Sequence, residues 1–224
     1  MSTEPSWSRR RFLATAASGV GVVGLAACGL NRSSSPDPER SPQSSDGWAG
    51  ELVDPGMARP DVVFTDLDGQ PFPFLERTEG ELALLFFGYT SCPDVCHITL
   101  STMARSLEAI GTGPGGDAMI LFVGVDTARD TPELMRTYLD RLDPSFIGLT
   151  GTPEVIEDAL GQLYLPPPVI GEPEDDGSYL VVHSNKVFAF QADDGLAHRV
   201  YPGDQVRQQE WVRDLPRLAE GTYT

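Results

Sequence analysis

The sequence predicts an α/β fold: a mainly parallel sheet with helices on both faces. Three observations carry this. Residues 82–87 and 118–125 are continuous apolar runs rather than alternating ones, the pattern of strands buried on both faces. Stretches with apolar residues at three- and four-residue steps, such as Leu100, Met103, Ala104 and Leu107, separate the strands. Two of the helical stretches open with a cap followed by proline, Thr131-Pro132 and Thr152-Pro153.

The elements follow in order. Residues 60–72 read as a β-hairpin turned at Asp68-Gly69. The strand over 81–87 leads into a helix from His97 to about Ile110, closed by the glycine-rich loop 111–116. The strand over 118–125 ends at Asp126, and the helix opened by Thr131 ends near Leu142. A short strand over 146–149 precedes the helix opened by Thr152, which ends near Leu163. Pro166-Pro167-Pro168 stops regular structure, and 172–177 is an acidic loop. Residues 179–182 and 186–190 are strands broken by His183-Ser184-Asn185. After a turn at Asp193-Asp194-Gly195, residues 198–201 extend the meander. The last helix spans about 205–219, anchored by Val206, Trp211, Leu215 and Leu218 and bent or shortened by Pro216. This order is that of a thioredoxin-like fold with an N-terminal β-hairpin extension. One such domain is expected over residues 56–220, with no internal repeat.

The first 27 residues read as a targeting signal. Ser8-Arg9-Arg10-Arg11-Phe12-Leu13 precedes an apolar stretch of about 14 residues, short of the roughly 20 that span a membrane. The paired arginines resemble a twin-arginine signal. Leu25-Ala26-Ala27-Cys28 resembles a bacterial lipobox, which implies cleavage before Cys28 and a lipid on its sulfur. Residues 28–55 are then a lipid-anchored, disordered tether, rich in Ser, Pro, Asp and Gly. That places the domain on the extracytoplasmic face of the membrane. The net charge of −17 excludes a nucleic-acid binder, which needs a basic face. Three cysteines are too few for a disulfide framework; they form one close pair and the outlier Cys28.

The pair is Cys92 and Cys96, at the turn from the strand over 81–87 into the helix that follows. With Cys96 in the first helical turn, free N–H groups and the helix dipole favour a thiolate. A thiolate pair serves disulfide exchange or soft-metal binding. The three-residue spacer permits a disulfide and puts both sulfurs on one side for a metal. His183 stands in an otherwise apolar segment, either as a structural histidine or as a third ligand. Two thiolates and an imidazole suit copper; zinc would want a fourth ligand.

Phe87-Gly88-Tyr89-Thr90-Ser91-Cys92-Pro93-Asp94-Val95-Cys96 resembles the signature of the Sco/SenC family of copper chaperones. Val125-Asp126 followed by Arg129-Asp130-Thr131-Pro132, then Val182-His183-Ser184 and Tyr201-Pro202, resemble further blocks of that family in the same order. The resemblance implies a thioredoxin-like domain whose copper ligands are Cys92, Cys96 and His183. It implies delivery of copper, as Cu(I) or Cu(II), to the binuclear copper site of cytochrome c oxidase subunit II, a partner outside the membrane. Its alternative is a thiol–disulfide oxidoreductase that reduces that site's cysteines through Cys92 and Cys96. Such a chain is a metallochaperone rather than an enzyme unless the redox role holds; a peroxidase fits the distant histidine poorly. Asp126 and Asp130 match acids of the family pattern and also suit loop and cap positions, and Asp94 suits a turn. His97 replaces the proline usual after the second cysteine and reads as a solvated first-turn residue, with a displaced or extra copper ligand as the alternative. His198 reads as a surface residue without a role.

Overall fold

The computed structural model describes residues 46–224; the twin-arginine segment, Cys28 and most of the tether lie outside the described residues. An eight-stranded sheet runs through the domain. Its strands are β1 (Glu51–Ala58), β2 (Val63–Asp66), β3 (Pro71–Pro73), β4 (Ala83–Gly88), β5 (Met119–Gly124), β6 (Ile147–Thr150), β9 (Lys186–Phe190) and β10 (Leu196–Pro202), in the spatial order β1-β10-β9-β4-β5-β6-β2-β3. A separate two-stranded sheet pairs β7 (Val169–Ile170) with β8 (Val181–Val182). The helices are α1 (Phe74–Arg77), α2 (Val95–Ile110), α3 (Pro132–Asp140), α4 (Pro153–Gln162) and α5 (Gln208–Ala219). Helix α2 packs on α5, α3 on β6 and α4 on β2. Among the described residues, no helix is long and apolar enough to cross a membrane.

The local signals act as their chemistry demands. Every residue of β4 is buried, which its unbroken apolar run requires. Thr131 Oγ1 accepts the Leu134 N–H at 3.3 Å and Thr152 Oγ1 accepts the Val155 N–H, each with proline at the helix start. At the Asp68-Gly69 turn, Asp66 Oδ1 accepts the N–H groups of Asp68 and Gln70, and Gly69 adopts φ +76°.

Several expectations are corrected. The sheet is not mainly parallel: only β4–β5 and β5–β6 are, while every other pairing is antiparallel. Tight turns close the hairpins at β2–β3 and β9–β10, and a tight turn permits only antiparallel pairing. Strand β1 begins at Glu51, inside the segment read as tether, and pairs with β10 as an edge strand. Its side chains are mostly exposed and its register shifts between Leu52 and Met57, so no alternating pattern announces it. Residues 179–182 do not pair with β9; β8 is confined to Val181–Val182 and pairs with β7, just beyond the three prolines. Helix α5 continues past Pro216 to Ala219. His198 is not a surface residue. It is buried in β10, with Nε2 2.8 Å from Asp194 Oδ2 and its ring stacked on Tyr223.

Candidate metal centre

Strand β4 ends at Gly88, and the loop over 89–94 turns the chain into α2. Gly88 is required by close approach: a Cβ there would lie 2.9 Å from Cys96 Sγ and 2.7 Å from the Phe122 ring. Helix α2 starts at Val95, two residues before His97, so Cys96 lies in its first turn. Cys96 is fully buried and Cys92 is half-buried. The Cys92 N–H donates to the Tyr89 carbonyl at 3.2 Å, closing the loop that carries it.

His183 reaches the same point from the link between β8 and β9. Its Nε2 lies 3.5 Å from Cys96 Sγ. Its Nδ1 lies 2.8 Å from the Ser184 carbonyl, which can only accept, so the proton is on Nδ1. In the neutral ring the Nε2 lone pair is therefore turned toward the sulfurs, and a carbonyl partner on the far nitrogen is how metal-bound histidines are oriented. Tyr89 and Phe86 pack against the imidazole in T-shaped pairs. One ligand atom from each of Cys92, Cys96 and His183 lies within 4.8 Å of the others. That span leaves room for one ion at bonding distance from all three, and its soft donor set matches a soft metal.

The two thiols differ. The Cys92 thiol pKa is lowered to about 4, first by the hydrogen bond from Cys96 and then by backbone N–H groups at Asp94 and Cys96. The Cys96 thiol is pushed up by that same hydrogen bond and by burial. The site thus holds one half-exposed thiolate and one buried thiol beside an imidazole.

The acids hold the frame. Asp130 is buried, and its Oδ1 accepts from the Thr90 N–H at 2.9 Å and the Thr90 hydroxyl at 2.6 Å, pinning the cysteine loop to the loop between β5 and α3. Burial raises its pKa. Asp126 is buried too and accepts from Arg129 Nε and from the Tyr179 hydroxyl. Asp94 is the exposed N-cap of α2 and makes no side-chain cap bond. His97 is exposed and outside the ligand cluster. Sequence reasoning missed Tyr89 and Tyr179. Tyr89 stands inside the cysteine motif, where its position could have drawn notice; Tyr179 meets Asp126 from 53 residues away, and no local signal reports that.

The SCO1/SenC family model matches residues 58–220. Protein SenC of Rhodobacter capsulatus is 32% identical over 190 residues, covering 81% of this chain and 78% of its own. The solution structure of apo Sco1 from Thermus thermophilus is 30% identical, covers 76% of this chain and 96% of its own, and superposes with a TM-score of 0.67. ScoI of Bradyrhizobium japonicum, solved with copper bound, is also 30% identical, covers 70% of this chain and 96% of its own, and has a TM-score of 0.60.

Proposed function

The chain belongs to the SCO1/SenC family, and from that premise we propose that it carries one copper ion on Cys92, Cys96 and His183 and passes it to the binuclear copper site of cytochrome c oxidase subunit II. The convergence of two sulfurs and Nε2 within 4.8 Å carries this reading. A half-exposed Cys92 thiolate suits transfer by ligand exchange. A partner thiolate can displace it from the metal first, while buried Cys96, with half-buried His183, holds on until the partner's second ligand arrives. The lipobox pattern at Leu25-Ala26-Ala27-Cys28 supports anchoring by a lipid on Cys28 to the extracytoplasmic membrane face, and retention of Cys28→Ala in the membrane fraction would overturn that placement.

The test is anaerobic. Reduced protein is titrated with Cu(I) and mixed with the reduced soluble domain of subunit II. One copper bound per chain, followed by its appearance on subunit II, is expected. A chain that binds no copper above a Cys92→Ser, Cys96→Ser control would refute the reading.

The difference between the two thiols favours a second reading, thiol–disulfide exchange. The Cys92 thiolate attacks a partner disulfide, forming a mixed disulfide and releasing one partner thiolate. Cys96, on losing its proton, attacks the Cys92 sulfur and releases the second; the partner gains two electrons and the pair is oxidised to a disulfide. The metal-free protein should show the required asymmetry. Alkylation by iodoacetamide should modify Cys92 at a rate nearly constant from pH 9 to about pH 5, falling only as the thiolate protonates near 4. An ordinary thiol loses about tenfold per pH unit below roughly 8.5. A Cys92 profile of that ordinary shape would remove the asymmetry.

A further inference from the structure

We propose that Asp126, Arg129 and Tyr179 form a clamp that positions His183 for the metal without touching it. The inference rests on the copper reading of the site above.

His183 has one firm side and one weak side. Downstream, β9 lies between β4 and β10, the Asn185 carbonyl accepts the Gly203 N–H at 2.9 Å, and its side chain donates to Asp204. Upstream, β7 and β8 pair only with each other. Val169, Ile170, Leu180 and Val182 are exposed there, as is the acidic turn between the strands. A segment with so few buried contacts opens at low cost. Val181 is the buried residue of this segment.

The clamp grips Tyr179 in three ways. Its hydroxyl donates to Asp126 Oδ1 at 3.0 Å. Its carbonyl accepts from Arg129 Nη2 at 3.1 Å. Its ring lies 3.5 Å from the Arg129 guanidinium carbon. Asp126 binds Arg129 through its other oxygen, so one buried carboxylate organises the whole set. Asp126 is fixed in turn: its carbonyl accepts the N–H groups of Arg129 and Asp130, and the preceding residue, Val125, donates its N–H to Gly88 at 2.8 Å. Gly88 leads directly into the cysteine loop. The clamp therefore ties the flap to the same frame that places the thiols. His183 lies four positions after Tyr179, a reach of up to about 14 Å in extended chain, so release of Tyr179 lets the imidazole leave the sulfurs. Apparent metal affinity then falls by the fraction of time His183 spends in place.

The test is a double-mutant cycle on the full reduced chain, read as Cu(I) affinity by competition with a chromophoric chelator. Asp126→Asn should weaken copper binding by about tenfold, in the range of residues that orient metal ligands. In a His183→Ala background the same change should do nothing further. Tyr179→Phe, which removes one hydroxyl and keeps the stacked ring, serves as the variant least able to disturb folding and should show a smaller loss of the same kind. Equal losses in both backgrounds, or none in either, overturn the clamp. A second readout needs no metal: hydrogen exchange of the amides over 179–183 should quicken in Asp126→Asn while the amides of α2 do not change. Unchanged exchange there overturns the clamp and leaves the copper reading standing. If His183→Ala binds copper as tightly as the parent, His183 is not a ligand, and the ligand assignment and the clamp fall together.

Discussion

Cys96→Ser should weaken copper binding by at least about a hundredfold and leave the fold in place. Changing a residue that only orients a ligand costs about 10–100-fold, and losing a ligand costs more. Serine offers a hard hydroxyl that stays protonated where a thiolate is needed, so the soft donor set is broken at its buried member. The serine hydroxyl can still donate to the Cys92 thiolate, so the loss read is that of the ligand itself. The fold tolerates the change because the space beside Gly88 that accepts sulfur accepts the smaller oxygen. Anaerobic competition titration measures the loss. An affinity within a few-fold of the parent would mean that Cys96 does not bind the metal.

Asp214→Ala should cost about 2–4 kcal/mol, for a reason the site does not reveal. Asp214 is fully buried in α5, and its Oδ2 accepts the Ala49 N–H at 3.0 Å while Oδ1 accepts from Arg213 at 2.6 Å. Ala49 belongs to the short stretch before β1. There Trp48 is fully buried, with the guanidinium groups of Arg199 and Arg217 against its ring. Arg199, also fully buried, donates to the Gly50 carbonyl at 2.8 Å and to Asp46 at 2.7 Å. Removing the carboxylate strands a buried amide and uncouples this stretch from α5. Arg213 is partly exposed and recovers some solvation, which keeps the cost below that of a fully buried pair. A fall in Tm of roughly 10 °C is expected for a domain of this size, with copper stoichiometry unchanged. A Tm within about 2 °C of the parent would show that the stretch contributes nothing to stability.

The sequence by itself determined those parts whose cause is local. The apolar run over 82–87 reads as a buried strand and is one, Thr131-Pro132 and Thr152-Pro153 open helices as read, and the glycine turns close where φ must be positive. The placement of Cys92 and Cys96 at a strand-to-helix turn followed from the same local chemistry. Tertiary structure decided the rest. Strand β1 exists because β10 offers it unpaired backbone groups, and an edge strand held by its backbone needs no side-chain pattern. Trp48 and His198 are buried because surfaces distant in sequence close over them. His183 joins the two sulfurs only because the antiparallel β9 returns along β4 and brings its imidazole 3.5 Å from a sulfur 87 residues away. The residues that steady it, Asp126 and Tyr179, are likewise far apart in the chain. Propensity and spacing act over a few residues, whereas a ligand set is assembled by sheet order, which is a property of the folded chain.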